Sequence, residues 1–171
     1  MKFKKIICWP PLLGGVGAGV TIAILAYITF QSILSGTNYG LWLAASFGSS
    51  GVVVFGYPDN EFAQPKNVLF GHLVCALLGI IFVMLFKISQ DRSIFFLAIG
   101  IAVGISVTLM MALKITHPTA GGNTIVVMIT QDSFQFLIFP IMVGAGTIII
   151  GGGIYHRFIL KKKISSEMVI A

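Results

Sequence analysis

The chain has 171 residues, 57% of them hydrophobic and only 9% charged, with a mean hydropathy of +1.00. A water-soluble domain cannot hide that much apolar surface, so the composition excludes one and points to a single integral membrane domain, an all-α polytopic helix bundle. The net charge of +6 is no nucleic-acid footprint, because the cations flank apolar segments, where orientation in the bilayer explains them.

The start, "MKFKKIIC", puts a basic stretch over residues 1–8, expected in the cytoplasm. It imitates the head of a signal peptide, but "WPP" interrupts the run behind it, so an uncleaved first segment is expected. Cys8 and Cys75 make no disulfide framework. Spans are expected over residues 12–34, 68–86, 94–113 and 134–160, each near or above the ~20 residues a bilayer needs. Between them lie two shorter, broken segments. Residues 41–57 contain "ASFGSSG", and residues 118–129 contain "PTAGGN" and leave only "TIVVMI" as a clean apolar run. Both read as re-entrant half-helices rather than complete spans. A basic tail, residues 161–171, closes the chain in the cytoplasm.

The order long, short, long occurs twice, over residues 12–86 and 94–160, and "FGSSGVVVF" resembles "TAGGNTIVV". This pattern suggests an internal two-fold repeat. Charge does not decide the number of crossings. With four spans, Lys2, Lys4, Lys5, Lys87, Arg92, Arg157, Lys161, Lys162 and Lys163 lie inside, and Lys66 and Lys114 lie outside. With six crossings, Lys66 and Lys114 exchange sides with Lys87 and Arg92, so the balance is unchanged. Both arrangements leave the two termini in the cytoplasm. Segment length favours four spans, and the repeats would then be parallel; six crossings would make them inverted.

Gly15 with Gly19, Gly100 with Gly104, and the ladder Gly71, Cys75, Gly79 give small-residue faces. Such faces serve ordinary helix packing or a homo-oligomer seam.

Polar residues are costly in a bilayer, and here they gather in two places. The first includes Ser46, Ser49 and Ser50 and runs on through "QPKN" to His72. Pro65 should hold Gln64 out of helical geometry, with Asn67 as the N-cap of the following span. Lys66 at that helix mouth is either a solvated loop lysine or part of an anion site. The second place is "LKITHPTAGGN". Pro118 should end the preceding span near His117. Thr119 and Asn123 are candidate N-caps. Gly121 and Gly122 allow positive φ and let backbone N–H groups approach a ligand. A half-helix N-terminus aimed at the midplane presents N–H donors and partial positive charge to an anion. Lys114 could steer the anion, and His117 could act as donor or proton carrier. Taken alone this is also a plain Pro-Gly turn, so the anion site rests on the two polar elements facing each other. No paired intramembrane carboxylates, metal-ligand histidine spacing or nucleophile triad is visible, so neither catalysis, metal nor cofactor is expected.

"ASFG", then "QPKNVLFGH", then "HPTAGG" resemble the ordered motifs of the HPP family of integral membrane proteins, over residues 9–157. Thr119 stands where that family has its second proline, and Lys66 where arginine is common. The resemblance implies about four spans and transport of a small inorganic anion, nitrite first, in a bacterial inner membrane. The sequence thus leads to a transporter or channel for a small monovalent anion, whose substrate site includes Ser46, Ser49, Ser50, Lys66, Asn67, His72, Lys114, His117, Thr119, Gly121, Gly122 and Asn123. The alternative is a non-transporting membrane subunit or sensor that binds a partner membrane protein.

Overall fold

The computed structural model describes residues 9–34, 43–89, 94–130 and 134–159. The basic stretches 1–8 and 161–171 lie outside the described residues. Among the described residues six helices follow one another: α1 (Trp9–Leu34), α2 (Leu43–Gly56), α3 (Pro65–Ser89), α4 (Phe95–Ala112), α5 (Gly121–Thr130) and α6 (Val143–Ile154). Short 3-10 turns at Glu61–Ala63 and Pro118–Ala120 lead into α3 and α5. Wider π-type turns, Leu137–Met142 and Tyr155–Ile159, extend α6 at both ends. The first is kinked at Phe139 (φ −128°, ψ 111°), where Pro140 forbids regular helix.

Among the described residues four helical stretches are long and apolar enough to cross a membrane: Pro11–Gln31, Pro65–Leu85, Phe95–Ala112 and Leu137–Ile159. Their outer faces are apolar. Leu12, Val16, Val20, Ile24 and Tyr27 on α1, for example, are all more than half exposed. A helix apolar on its exposed side is suited to lipid. The core is built from Phe47, Val54, Phe55, Val68, Ile80, Val127, Met128, Ile141 and Ile148.

Side-chain contacts set the helix directions. Gly51 of α2 lies on Ala18 of α1, and Phe55 lies on Gly14 and Gly17, so α2 runs antiparallel to α1. Thr21 meets Gly151, and Gly17 meets Tyr155, so α6 is also antiparallel to α1. His72 sits beside Ser50 after a short turn, so α3 folds back along α2. Asn67 reaches Thr116 and Cys75 reaches Met110, which makes α4 antiparallel to α3. Gly71 lies on Ala120 and Gly79 on Val127, so α5 runs parallel to α3. All six helices therefore alternate in direction. This differs from the re-entrant arrangement expected from segment length. Because α1 and α3 point the same way, α2 carries the chain back between them, and α5 does the same between α4 and α6. Residues 57–64 and 113–117 thus lie at the end of the bundle where α1 begins and α6 finishes.

The glycines divide into two groups. A Cβ at Gly71 would stand 2.9 Å from the His117 Cβ, and one at Gly79 2.9 Å from the Val127 Cβ. Gly144 and Gly152 are blocked in the same way by Phe47 and Val54. These four let α3 approach α5 and α6 approach α2 at backbone distance. Gly15, Gly19, Gly100 and Gly104 have nothing within 4 Å, so none of them packs against another described part of the chain.

One backbone feature ends α4. Lys114 adopts φ 53°, the Ile115 N–H donates to the Met110 carbonyl (3.0 Å) and the Lys114 N–H to that of Met111 (3.2 Å). This is a Schellman turn with lysine where glycine is usual. A left-handed lysine costs about 1–2 kcal/mol. Lys114→Gly should therefore raise the unfolding midpoint in detergent, and a lower midpoint would show that the lysine side chain stabilises the turn by more than this strain.

Candidate functional site

The two short helices meet over the start of α3. Ser46 and Ser50 of α2 face Thr119 and His117 ahead of α5 and Asn123 in its first turn, with His72 of α3 between them. Ser50, His72, His117 and Asn123 are fully buried and Ser46 is 7% exposed. His72 is seven residues beyond Pro65 on the 25-residue α3. The cluster thus sits about 10 Å along a helix of about 37 Å, nearer one end of the bundle than the expected midplane.

Ser50 is the hub. Its Oγ lies 2.9 Å from His72 Nε2, 3.0 Å from His117 Nε2, 2.7 Å from Thr119 Oγ1 and 3.0 Å from the Ser46 carbonyl. The outer ring nitrogens decide the proton positions. His117 Nδ1 is 2.7 Å from the Phe62 carbonyl, which only accepts, so Nδ1 carries the hydrogen and Nε2 of the neutral ring is bare. Asn123 Nδ2 is 2.7 Å from His72 Nδ1 and 3.4 Å from the His72 carbonyl. The amide therefore donates to a bare His72 Nδ1, and His72 donates from Nε2 to Ser50. The reversed amide would leave both Nε2 atoms bare before one serine hydrogen, a poorer balance. Ser46 Oγ donates to the Thr119 carbonyl (3.0 Å), tying α2 to the turn before α5.

His117 lies in the connector ahead of α5, outside the four long spans. Burial pulls its imidazole below the ordinary value, and the Phe62 carbonyl pulls the other way. The Phe47 ring covers His72 with centroids 4.7 Å apart, and the two imidazoles are 5.1 Å apart.

The remaining expected residues are arranged differently. Asn67 does not cap α3, which begins two residues earlier with Pro65 in its first turn. Its Nδ2 instead donates to the carbonyls of Glu61 (3.0 Å) and Thr116 (3.2 Å), fastening the two connectors together. Thr119 and Asn123 do not cap α5 either, because their side chains are turned to Ser50 and His72. The turn closes itself, the Ala120 and Gly121 N–H groups donating to the carbonyls of His117 and Pro118. Those donors are thus already used and do not stand bare. Gly121 is ordinary right-handed helix (φ −55°, ψ −30°), and no positive φ is needed there. Gly121 and Gly122 are half-buried, with open space where a side chain would stand. Ser49 is exposed and donates back to the Ser46 carbonyl (2.8 Å). Lys66 is half-buried in the first turn of α3 and Lys114 is exposed after α4, both at the site's end of the bundle.

Two participants were not singled out beforehand. Ser106 and Thr124 share a hydrogen bond of 2.8 Å, and Thr124 donates to the Cys75 carbonyl (2.9 Å), extending the polar seam one turn along α3. The available signals were a serine inside the apolar α4 and, for Thr124, its place directly after Asn123. Among the described residues, no group of three His, Cys, Asp or Glu is placed to hold a metal ion.

The chain has relatives among known proteins. It is 29% identical over 145 residues to a transmembrane protein of Dictyostelium discoideum, covering 82% of this chain and 50% of that one. A second Dictyostelium transmembrane protein is 29% identical over 149 residues, covering 84% of this chain and 46% of its own. The chain spans about half the length of these curated relatives. No solved structure matches it. A family model described as HPP, transmembrane region, matches residues 6–165, and with four apolar helices long enough to cross a bilayer, the chain belongs to the HPP family of integral membrane proteins.

Proposed function

We propose that the protein carries a small monovalent anion across the membrane through the Ser50–His72–His117 site, with nitrite, which the family resemblance implies, as first choice. The observation that carries this reading is a cluster of six polar side chains meeting inside a largely apolar bundle, four of them with no exposure. Polar groups are retained there at a cost, and a binding role accounts for them. Lys66 and Lys114 lie at the site's end of the bundle, where they draw anions. On the positive-inside rule this end is cytoplasmic, as are both termini.

An internal repeat supports a moving carrier. Shifting residue numbers by 73 turns Phe47 and Gly144 into Ala120 and Gly71 of the other half: 47 to 120, and 71 to 144. The same shift relates Val54–Gly152 to Val127–Gly79 (54 to 127, 79 to 152). It also places Ser46 on Thr119, Gly48 on Gly121 and Ser50 on Asn123. With alternating helix directions the two halves are inverted repeats, an architecture suited to exposing one site to each side in turn.

The test is flux. Purified protein in liposomes should pass nitrite above protein-free vesicles. His117→Ala should cut the rate about tenfold or more, since a hydrogen bond to a charged group is worth about 1.5–3 kcal/mol. Correctly folded protein that passes no small anion would overturn the reading. A partner-binding subunit would then be favoured, because the Gly15/Gly19 and Gly100/Gly104 faces are open to the outside.

A further inference from the structure

We infer that the Ser50 site takes up a proton before it takes up an anion, so that the carried unit is an anion together with one proton. This rests on the proposed transport.

The argument is a count of hydrogens. In the neutral cluster three side-chain hydrogens point at the hub: His72 Nε2–H, the Thr119 hydroxyl and the Ser50 hydroxyl itself. Ser50 Oγ accepts the first two, and its own hydrogen goes to His117 Nε2 or the Ser46 carbonyl. The other donors are also committed: Ser46 Oγ to the Thr119 carbonyl, His117 Nδ1 to Phe62, and Asn123 Nδ2 to His72. No donor in this cluster is left for an anion. What is left is an acceptor. Asn123 Oδ1 is fully buried and has no partner. An unsatisfied buried oxygen is costly until something donates to it, and it repels a bare anion.

One added proton reverses this balance. Placed on His117 Nε2, it makes an imidazolium that keeps its Nδ1–H on the Phe62 carbonyl. The Ser50 hydrogen then turns to the Ser46 carbonyl. Three donors, from His72, His117 and Thr119, now face an oxygen with two lone pairs. One is displaced and becomes available, and the site has gained a positive charge. A small oxyanion arriving next accepts the spare hydrogen and neutralises that charge. The pair leaves as anion plus proton, and His117 Nε2 is bare again.

The other titratable group at the hub is His72, whose Nε2–H is given to Ser50 and whose bare Nδ1 faces the Asn123 amide N–H, a donor, whereas His117 Nε2 faces a hydroxyl that can turn away. From α2, the turn ahead of α5 and the first turn of α5, the facing side chains are Ser46, Phe47, Ser50, Thr119 and Asn123. From α3, Cys75 lies one turn beyond His72 with its Sγ on Met110 Sδ at 3.5 Å. In the connectors Asp59, Glu61 and Lys114 are exposed and Lys66 is half-buried.

The experiment uses the full chain and sodium nitrite. Calorimetric titration in buffers of different ionisation heat should show uptake of about one proton per anion bound near pH 7.5. In liposomes an inward proton gradient should drive nitrite accumulation, while an imposed membrane potential should not. His117→Gln, checked for folding by gel filtration, should lose the proton uptake and the response to the gradient. His117→Asn, which also keeps a polar side chain and cannot take the proton, serves if the first variant does not fold. Nitrite flux that follows the potential and ignores the proton gradient overturns the coupling and leaves transport standing. Binding without proton uptake does the same. Absence of both binding and flux overturns the transport reading itself.

Discussion

Ser50→Ala should destabilise the protein more than any other single hydroxyl deletion and abolish the proposed anion flux. The side chain has no exposure, so water cannot take its place. Its removal leaves His72 Nε2–H and the Thr119 hydroxyl without their acceptor, and His117 Nε2 without a donor. Each buried group left unpaired costs about 1–3 kcal/mol, so the total should reach about 3 kcal/mol or more. Thermal unfolding in detergent would read this as a drop of several degrees. Ser49→Ala is the control. Ser49 is the next residue on the same helix, is exposed and bonds its own helix backbone, so its loss should stay within about 0.5 kcal/mol. Equal effects from the two serines would remove Ser50 from the centre of the site.

The same bonds explain what could be read from the sequence and what could not. Apolar run length located all six helices. The segments expected over residues 12–34 and 41–57, for instance, are helical over Trp9–Leu34 and Leu43–Gly56. The backbone before Pro65 and Pro118 was also legible: Gln64 (ψ 139°) and His117 (ψ 100°) are extended, as the proline ring favours. The capping roles were not. Near a bilayer, Asn67, Thr119 and Asn123 satisfy polar atoms on other elements, where water would otherwise have served. A cap rule weighs only the side chain and its own helix, so it misses that competition. Direction was illegible for a different reason. Lys66 and Lys114 balance Lys87 and Arg92, and only the packing of Gly51 on Ala18 and Gly71 on Ala120 shows which way the short helices run.

Gly144→Ala should be the most damaging change outside the cluster, and its effect should reach the cluster. An added methyl would enter the ring of Phe47, which is fully buried and lies against His72 at 4.7 Å between centroids. The ring has no free space, so α6 must move from α2 or Phe47 must press on His72. Overpacking of this kind costs about 1–3 kcal/mol and often more where backbone must shift. Phe47→Leu should recover part of the loss when combined with Gly144→Ala, with a coupling of about 0.5–3 kcal/mol in a double-mutant cycle. Gly100→Ala gives the opposite expectation. Its methyl meets nothing within 4 Å, so replacing a helical glycine should be neutral or stabilise by up to about 1 kcal/mol. If the halves are inverted repeats, Gly71→Ala repeats the Gly144 experiment on the other side, because its methyl presses on the His117 Cβ (2.9 Å) and the Ile115 carbonyl (3.2 Å) and touches Ala120 (3.5 Å). Its penalty should then be smaller, since Ala120 presents a methyl where Phe47 presents a ring, while its effect on flux should be at least as large, because it displaces His117 directly. A Gly71 variant that keeps full flux would separate the packing symmetry from the transport site.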